Sequence, residues 1–367
     1  MKVVFFRHSL LNRGGDRMVL AHAACLAENS HEVVIKTGRL DTVFPIDSRI
    51  RIERIPSRAV PFTLWAALLE SNRNAVYVAD IAVLSFLLCL RNSGRVLFFA
   101  QGYDEFNCSF PPGRWLIRTL LFLLLRMLRV PVFAVSDHLA RFLSGKYQAD
   151  ATVIPNGIDP VFFAAREGAN PFLALKDGRQ VILLHSRLDY AKGFDTALAV
   201  LQLVAGQSSL GIEVWTVGED VEPRLDFMAH RHFGYVPSRI LAQLMSAADV
   251  FLHPSRHEGF ALAVLESFAC RCPVVTTQAV YFAQNGVNAM VAGVDDSEAL
   301  AAQLLRLLSD AELRERIVNE AYSVATGYGL AGCTSNFNEA FCARFDRGRP
   351  VGAGVTTVRA ASGTDGT

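Results

Sequence analysis

Glu258 and Glu266, eight residues apart, are the acidic pair whose setting most strongly suggests chemistry. They lie in the stretch Pro254–Glu266, directly after an apolar run that predicts a buried strand. Gly259 lets the chain turn tightly, and a helix beginning near Ala261 would direct unpaired N–H groups and its positive dipole end at an anion. Glu266 lies about two turns into that helix. Two carboxylates at different depths suit a ligand with hydroxyls at two distant points, such as a sugar and a ribose.

Arg187 and Lys192 form a second candidate group on a loop that follows another predicted strand. A bidentate guanidinium and a point charge on one loop can face the same diphosphate and neutralise a leaving group. Each feature also has an ordinary structural explanation. An acid at a helix start favours the helix dipole, and loop arginines and lysines are usually solvated charges.

Three motifs between residues 150 and 310 resemble those of the retaining glycosyltransferases of family 4. The first is the Glu-x7-Glu spacing of Glu258 and Glu266. The second is residues 186–193, Ser-Arg-Leu-Asp-Tyr-Ala-Lys-Gly, which are similar to the family's Gly-Arg-Leu-x-x-x-Lys-Gly. The third is residues 154–159, Ile-Pro-Asn-Gly-Ile-Asp, which are similar to its interdomain Val-x-Asn-Gly-Val/Ile-Asp. The resemblance covers residues 150 to 310.

The resemblance implies a retaining glycosyltransferase that takes a sugar from a nucleoside-diphosphate-sugar donor. Glu258 would meet the donor sugar and Glu266 the ribose, and backbone amides at the helix start would surround the phosphates and sugar. The implied catalytic residues are Glu258, Arg187 and Lys192. The implied donor-binding residues are Gly14, Gly15, Arg187, Lys192, Glu258, Gly259, Phe260, Ala261, Leu262 and Glu266.

The sequence departs from the family pattern at several positions. Gln101-Gly102 replaces the family's His-Gly after a predicted strand, and glutamine cannot act as a general base. On the acceptor side, Gln101 could hydrogen-bond a sugar hydroxyl, and Asp104 or the neighbouring Glu105 could act on the acceptor or be ordinary loop acids. Ala261 and Arg271 occupy positions where the family has glycine. The usual Gly-Gly-x-x-Glu is absent from residues 278–285.

The order of elements predicts an α/β fold of GT-B type, two facing Rossmann-like doubly wound domains with a donor cleft between them. Residues 1–160 would form the N-terminal acceptor-side domain and 161–330 the nucleotide-sugar-binding domain. A C-terminal helix, 331–347, could cross back to the N-terminal domain before a disordered tail, 348–367. The polar stretch Arg166–Arg179 is the predicted linker. The predicted strands are Lys2–Phe6, Glu32–Lys36, Ala75–Ala79, Arg95–Ala100, Pro131–Val135, Ala151–Ile154, Val181–His185, Glu213–Val217, Val250–His253 and Pro273–Thr276.

The composition and the motifs that are absent limit which partners and cofactors can be expected. A formal net charge of +1 provides no field suited to nucleic acid. The seven cysteines show no zinc-type spacing, so buried reduced thiols in a cytoplasmic protein are expected. No Asp-x-Asp occurs, so we expect no metal and no cofactor beyond the nucleotide-sugar co-substrate. No apolar run is long enough for a transmembrane helix, and nothing resembles a signal peptide.

The segment Arg114–Arg129 predicts an amphipathic helix with four arginines in one arc and a Leu- and Phe-rich face. Two interpretations remain open: a helix that covers the sheet with a solvated arginine edge, or one that contacts an anionic membrane on its cytoplasmic side. The second would favour a lipid-linked acceptor. Alternatives to the transferase are a catalytically inactive GT-B module that acts as an assembly partner and, less favoured, a nucleotide-sugar epimerase. A nicotinamide dehydrogenase is disfavoured because no Gly-x-Gly-x-x-Gly follows the first strand.

Overall fold

The computed structural model describes residues 1–56, 58–106, 110–207, 211–221, 224–346 and 356–358. It divides the chain into two compact units: Met1–Asn156 with Ala331–Thr367, and Gly157–Leu330. Each unit is an α/β domain on its own parallel sheet, which confirms the predicted fold class. The second unit begins at Gly157, four residues before its predicted start at 161, and the C-terminal helix belongs to the first unit.

The strands alternate with helices along both units. The strands are β1 Lys2–Leu10, β2 Glu32–Leu40, β3 Arg51–Arg54, β4 Ala75–Ala79, β5 Val96–Ala100, β6 Val132–Ala134, β7 Ala151–Val153, β8 Gln180–Ser186, β9 Ile212–Gly218, β10 Ala229–His232, β11 Val250–His253, β12 Val274–Thr277, β13 Met290–Ala292 and β14 Thr356–Val358. The helices are α1 Gly14–Glu28, α2 Val60–Leu69, α3 Ala82–Cys89, α4 Pro111–Leu121, α5 Asp137–Tyr147, α6 Pro160–Phe163, α7 Phe194–Gln207, α8 Ser238–Ala247, α9 Leu262–Ala269, α10 Ser297–Ser309, α11 Ala311–Thr326 and α12 Leu330–Phe345.

The first sheet has the strand order β14-β7-β6-β5-β4-β1-β2-β3. Its pairs are parallel except for β14, which pairs antiparallel with β7. The chain crosses from β1 to β2 in one direction through α1. It then returns past β1 to β4 through α2 and continues in that direction through α3, α4 and α5. Because such crossovers are right-handed, α1 lies on one face of the sheet and α2 to α5 lie on the other.

The C-terminal helix α12 covers the face of the first sheet that carries α1. The Phe337 ring stacks on the His22 ring of α1 with centroids 4.2 Å apart, and it meets Phe99 and Phe133 edge-on at 5.5 and 5.3 Å. All of these side chains are buried. The last helix therefore completes the core of the first unit.

The second sheet is wholly parallel, in the order β10-β9-β8-β11-β12-β13. Its core joins the apolar strands to α7 and α10 through fully buried side chains such as Leu201, Val250 and Leu304. Strands that are covered on both faces read as continuous apolar runs, which explains why β8, β11 and β12 were predictable. The carboxyl ends of β8 and β11 adjoin in this sheet, so the loops that follow them are neighbours.

The prediction that Arg166–Arg179 is an interdomain linker is wrong, because this segment belongs to the second unit and packs on it. Phe172 contacts the Trp215 and Phe233 rings. The Asn170 amide donates hydrogen bonds of 2.8 Å to the Gln243 carbonyl and the Ser246 hydroxyl. Scattered aromatic and amide side chains in a polar segment have no periodicity, so the sequence pattern did not indicate this packing.

Two other predictions need correction. Within the predicted disordered tail 348–367, residues 356–358 form strand β14, and the remainder lies outside the described residues. The predicted helix Arg114–Arg129 begins earlier, as α4, and changes at Phe122–Met127 to a π-helix, whose wider turn alters the arginine arc. Cys108 also lies outside the described residues, and the six described cysteines are free thiols.

Candidate active site

Glu258 lies in the loop between β11 and α9, where the end of a parallel strand meets the start of a helix. Its Oε1 atom accepts hydrogen bonds from the Lys192 ammonium at 2.8 Å, from His253 Nε2 at 2.8 Å and from the Ser255 hydroxyl at 2.6 Å. Because a carboxylate only accepts hydrogen bonds, His253 carries a proton on Nε2. The structure therefore brings together two residues that the sequence predicted, Glu258 and Lys192, with two that it did not.

The neighbours of Glu258 keep its carboxylate charged although the side chain is only 6% exposed. Burial raises the pKa of the carboxyl, but the charge of Lys192 and the hydrogen bond from His253 outweigh it and hold the pKa well below its usual range. The site thus holds an ionised carboxylate in a fixed orientation beside a fixed ammonium.

Gly193 allows the Lys192 loop to lie directly against the Glu258 loop. Lys192 ends a short 3-10 helix, Tyr190–Lys192, and Gly193 follows with a φ of 63°, in the left-handed region. A Cβ on Gly193 would collide with the carbonyl oxygen of Pro254. Glycine satisfies both the backbone conformation and the close approach, which the contact between Lys192 and Glu258 requires.

Arg187 lies on the same loop, at the end of β8, and its guanidinium contacts acids there. It pairs with Asp189, and its Nε lies 3.9 Å from Glu219 Oε1. The side chains of Asp189 and Glu219 are 46% and 37% exposed. Exposed pairs of this kind contribute about 0–1 kcal/mol, so an anionic ligand could replace these acids at Arg187 at little cost.

Arg256 is a buried residue that no sequence motif indicated. Its Nη1 and Nη2 atoms donate to the two Asp195 oxygens at 2.9 and 2.7 Å, and Nε donates to Asp295 at 2.8 Å. Nη1 also donates to the Tyr190 carbonyl, and the guanidinium lies over the Tyr190 ring, 4.5 Å from its centroid. Arg256 therefore ties its own loop to the Lys192 loop. Asp195 and Asp295 are 61 and 39 residues away along the chain, so no local pattern indicated the contacts.

Ala261 and Arg271, which stand where the family has glycine, both have a left-handed backbone conformation. Ala261, the residue before α9, has a φ of 55°, and so does Arg271, which follows that helix. This conformation costs a residue with a side chain roughly 1–2 kcal/mol. Arg271 recovers part of this cost, because it donates to Asn319 at 3.0 Å and lies over the Tyr322 ring at 4.0 Å. Ala261 is buried and has only a methyl group, so its backbone remains strained.

The other predicted donor-binding residues of the second unit lie at the start of α9. Gly259 is half-buried in the preceding loop, and Leu262 is the first residue of the helix. The Phe260 ring packs against Tyr328 with centroids 5.5 Å apart, so Phe260 can offer a ligand only its backbone. Glu266 is buried in the second turn of α9. Their contact with a donor stays a prediction.

In the first unit, Gly14 and Gly15 are the first residues of α1. Asp16 beside them is buried, and its Oδ2 accepts the N–H groups of Leu11 and Arg13 at 3.0 and 3.3 Å. This contact closes the loop, and a Cβ on Gly15 would collide with the Gln101 side chain. The structure thus places the Gly-Gly loop against Gln101 within this unit.

Arg7, which no local sequence pattern indicated, supports this loop through two ion pairs. Its Nη2 lies 2.7 Å from Asp16 and 2.7 Å from Asp80, and the Gln101 amide donates to Asp80 at 3.2 Å. Burial raises the pKa of Asp80, the charge of Asp16 adds to this, and Arg7 opposes it. A residue within β1 meets the residues that directly follow β4 and β5 here, and their separation in sequence concealed the cluster.

Asp104 and Glu105 occupy structural positions. The Asp104 carboxylate accepts the N–H of Ala82, the first residue of α3, at 2.7 Å, and burial raises its pKa to about 7. Glu105 is fully buried and accepts from Lys146 at 2.6 Å, from Tyr147 at 2.9 Å and from Arg118 at 3.0 Å. These contacts give Glu105 a structural role that requires no acceptor substrate. The hydrogen bond from Ala82 makes Asp104 a cap for the start of α3.

The described ranges contain neither a cluster of metal ligands nor a membrane-spanning helix. No three or more His, Cys, Asp or Glu side chains there are grouped so that they could hold a metal ion. Among the same residues, no helix combines the length and apolar character that crossing a membrane requires.

The chain has two α/β domains, each built on its own largely parallel sheet. In the second domain, a basic loop lies beside Glu258, which is placed between a strand and a helix. This architecture is that of the GT-B class of folds. A solved structure of WaaG, a glycosyltransferase involved in lipopolysaccharide biosynthesis, has this fold with a TM-score of 0.71 and 18% identity, over 92% of this chain and 99% of that chain. Anabaena Alr3699/HepE in complex with UDP-glucose gives a TM-score of 0.71 and 16% identity, over 94% and 100%.

Residues 179–310 match the family model Glycosyl transferases group 1. The chain is 30% identical over 198 residues to the phosphatidyl-myo-inositol mannosyltransferase of Mycolicibacterium smegmatis. That alignment covers 51% of this chain and 50% of the relative, so the chain matches about half of the relative's length.

Proposed function

We propose that the protein is a retaining glycosyltransferase that moves a hexose or related sugar from a nucleoside diphosphate to a hydroxyl of a glycan or lipid-linked acceptor. The observation that carries this proposal is the contact of the buried Glu258 carboxylate with the half-buried Lys192 ammonium, just before α9 begins. It provides a fixed negative group for sugar hydroxyls and a fixed positive group for a diphosphate within one site.

The leaving group is the feature that this chemistry must stabilise. When the bond between the sugar and the diphosphate breaks, the electron pair stays with the phosphate oxygen, and negative charge develops there. The Lys192 ammonium, the Arg187 guanidinium and the N–H groups at the start of α9 are preorganised donors for that charge. Charge stabilisation of this kind needs no metal ion, so we propose that the transfer is metal-independent.

The donor sugar would be oriented by Glu258. All three hydrogen bonds from its neighbours go to Oε1, and no described residue donates to Oε2. A sugar hydroxyl that donates to Oε2 would meet a carboxylate whose rotation is already prevented. Retention of configuration, the ribose contact of Glu266 and the phosphate contacts of Gly14 and Gly15 rest on the resemblance to family 4.

The acceptor is proposed to be a growing cell-surface polysaccharide or a glycolipid. The similar proteins include one that is named for lipopolysaccharide biosynthesis and one that is named for mannosylation of phosphatidyl-myo-inositol. A lipid-linked acceptor agrees with a peripheral, cytoplasmic-side contact of the segment Arg114–Arg129 with anionic membrane.

The test begins with a thermal-shift screen of the purified chain against UDP, GDP, ADP and their common sugar conjugates, with and without EDTA. A ligand that binds only the folded state at about 100 times its Kd stabilises it by about 2.7 kcal/mol. We expect one base to give such a shift, unaffected by EDTA. We then expect the matching sugar conjugate to be hydrolysed slowly, with the anomeric configuration retained by NMR.

Lys192→Ala is the decisive variant, and Lys176→Ala is its matched control. Lys176 pairs with Asp249 at 2.7 Å, at the opposite end of β11, and its side chain has similar burial. Loss of the nucleotide shift in Lys192→Ala alone would support the site. No shift with any nucleotide would contradict the assignment and favour the inactive GT-B module. Binding without hydrolysis or transfer to any acceptor would favour the same alternative.

A further inference from the structure

Large apolar side chains are exposed on two helices of the first unit. Trp65 in α2 and Trp115 in α4 are 61% and 69% exposed, whereas Trp215, the third tryptophan of the chain, is fully buried. Phe62 and Phe122 are also about half exposed. A protein surface normally exposes such residues singly, so their concentration on two helices indicates a binding surface.

The exposed residues form stripes that face away from the sheet. In α2, Thr63 and Ala67 are buried, while Phe62, Trp65 and Leu69 recur at helical spacing on the outer side. An amphipathic helix would ordinarily place polar residues on that side. The outer side of α2 is instead as apolar as a buried face.

The same outward face continues through α4 and the π-helix that follows it. Leu121, Leu124 and Leu125 point inward and are buried, and Trp115 and Phe122 point outward. Because α2, α3 and α4 cover the same face of the sheet in that order, their outer sides form one surface. We call this surface, formed by residues 58–69, 81–91 and 110–129, the α2–α4 face.

The segment that contains α3 and α4 carries an excess of positive charge. Residues 81–136 contain six arginines and only two acids, Asp104 and Glu105, in a chain whose formal net charge is +1. Both acids are directed inward, Asp104 to the start of α3 and Glu105 into a buried cluster. Arg118 is partly engaged by that cluster, at 3.0 Å from Glu105. The arginines of the region are Arg91, Arg95, Arg114, Arg118, Arg126 and Arg129, and Arg58 precedes α2.

We propose that the α2–α4 face docks on an anionic lipid surface, with Trp65 and Trp115 inserted at the interface. Tryptophan and phenylalanine favour the boundary between headgroups and acyl chains, and arginine stems lie along apolar surface while their guanidinium groups reach lipid phosphates. A second copy of this chain would bring the same positive charge against itself, which like-charge repulsion opposes. The proposal extends the contact of Arg114–Arg129 to α2 and does not depend on the donor chemistry.

The experiment is flotation of the full chain with vesicles of phosphatidylcholine, alone or mixed with phosphatidylglycerol. We expect binding to the anionic vesicles that weakens at high salt, because screening reduces the arginine contribution. The double variant Trp65→Ser with Trp115→Ser should bind at least roughly tenfold more weakly, and so should Arg126→Glu. Leu173→Ser and Arg316→Glu are matched controls, because both residues are exposed in the second unit. These should bind like the unaltered chain.

Tryptophan fluorescence gives a second readout on the same vesicles. Insertion should shift the emission of Trp65 and Trp115 to shorter wavelength and expose it to quenching by brominated lipid, while buried Trp215 stays unquenched. All variants replace exposed side chains, so their melting temperatures should match. Equal binding by the double variant would overturn the proposal. So would no binding by the unaltered chain, or self-association that the tryptophan variants abolish.

Discussion

His22 should make the first unit sensitive to acid, and His22→Phe should remove that sensitivity. The ring is fully buried between Phe99 and Phe337, and neither nitrogen has a hydrogen-bond partner among the described residues. Burial lowers the pKa of His22 from 6.5 to about 3. The folded unit therefore keeps the ring neutral, whereas the unfolded chain takes up a proton as the pH falls below 6.5.

The size of the effect follows from the two pKa values. Between pH 6.5 and pH 3 only the unfolded state binds this proton, so the free energy of unfolding falls by about 1.4 kcal/mol per pH unit. From pH 7.5 to pH 5 this amounts to ~2 kcal/mol from one residue. Phenylalanine keeps an aromatic ring at this position without the two buried nitrogens, so His22→Phe should remove this pH dependence, while its slightly larger ring sets the stability at neutral pH.

Hydrogen exchange read by mass spectrometry measures this prediction, because peptides of the first unit report its unfolding separately from the second. The difference in free energy of unfolding between His22→Phe and the unaltered chain should be ~2 kcal/mol larger at pH 5 than at pH 7.5. His138→Phe, at an exposed position of the same unit, serves as the control. A difference that is the same at both pH values would refute a neutral, buried His22.

Three further substitutions test the second unit. Ala261→Gly should raise its stability by roughly 0.5–1 kcal/mol in urea unfolding, because relief of a left-handed φ exceeds the added entropy of the unfolded chain, and a loss of stability would contradict the strain. Arg256→Lys should reduce kcat/KM of the proposed transfer roughly tenfold or more, because an ammonium cannot bridge Asp195, Asp295 and Tyr190 together, and unchanged kinetics would remove Arg256 from the support of the site. Gly193→Ala should abolish the nucleotide thermal shift because its Cβ meets the Pro254 carbonyl, whereas Gly206→Ala, where a Cβ meets no atom within 4 Å, should not.

The sequence predicted the interior of both sheets and missed their edges. The predicted strands correspond to β1, β2, β4 to β9, β11 and β12, which are mostly long apolar runs. The missed strands are β3, β10, β13 and β14, and they end the two strand orders. An edge strand has one neighbour and is short and half-exposed, so its sequence lacks an apolar run, as Arg-Ile-Glu-Arg in β3 shows.

Candidate site residues were predictable where a local motif carries them. Lys192 and Glu258 belong to such motifs, and the structure places them in contact. His253 could have been noticed as a polar residue at the end of an apolar strand. Arg256 and Arg7 could not, because their partners come from distant strands and loops. The sequence records which residues follow a strand, but the sheet order decides which of those strands are neighbours.

The return of α12 to the first unit makes the second unit an insertion within the first. During synthesis, residues 157–330 leave the ribosome as one uninterrupted stretch that contains everything the second sheet needs. The first unit, although it begins the chain, still lacks the helix that covers Phe99, Phe133 and His22 until residue 345 has emerged. The order of folding can therefore be the reverse of the order of synthesis. A chain released early, near residue 330, would contain a folded second unit and a first unit whose aromatic side chains are exposed to water.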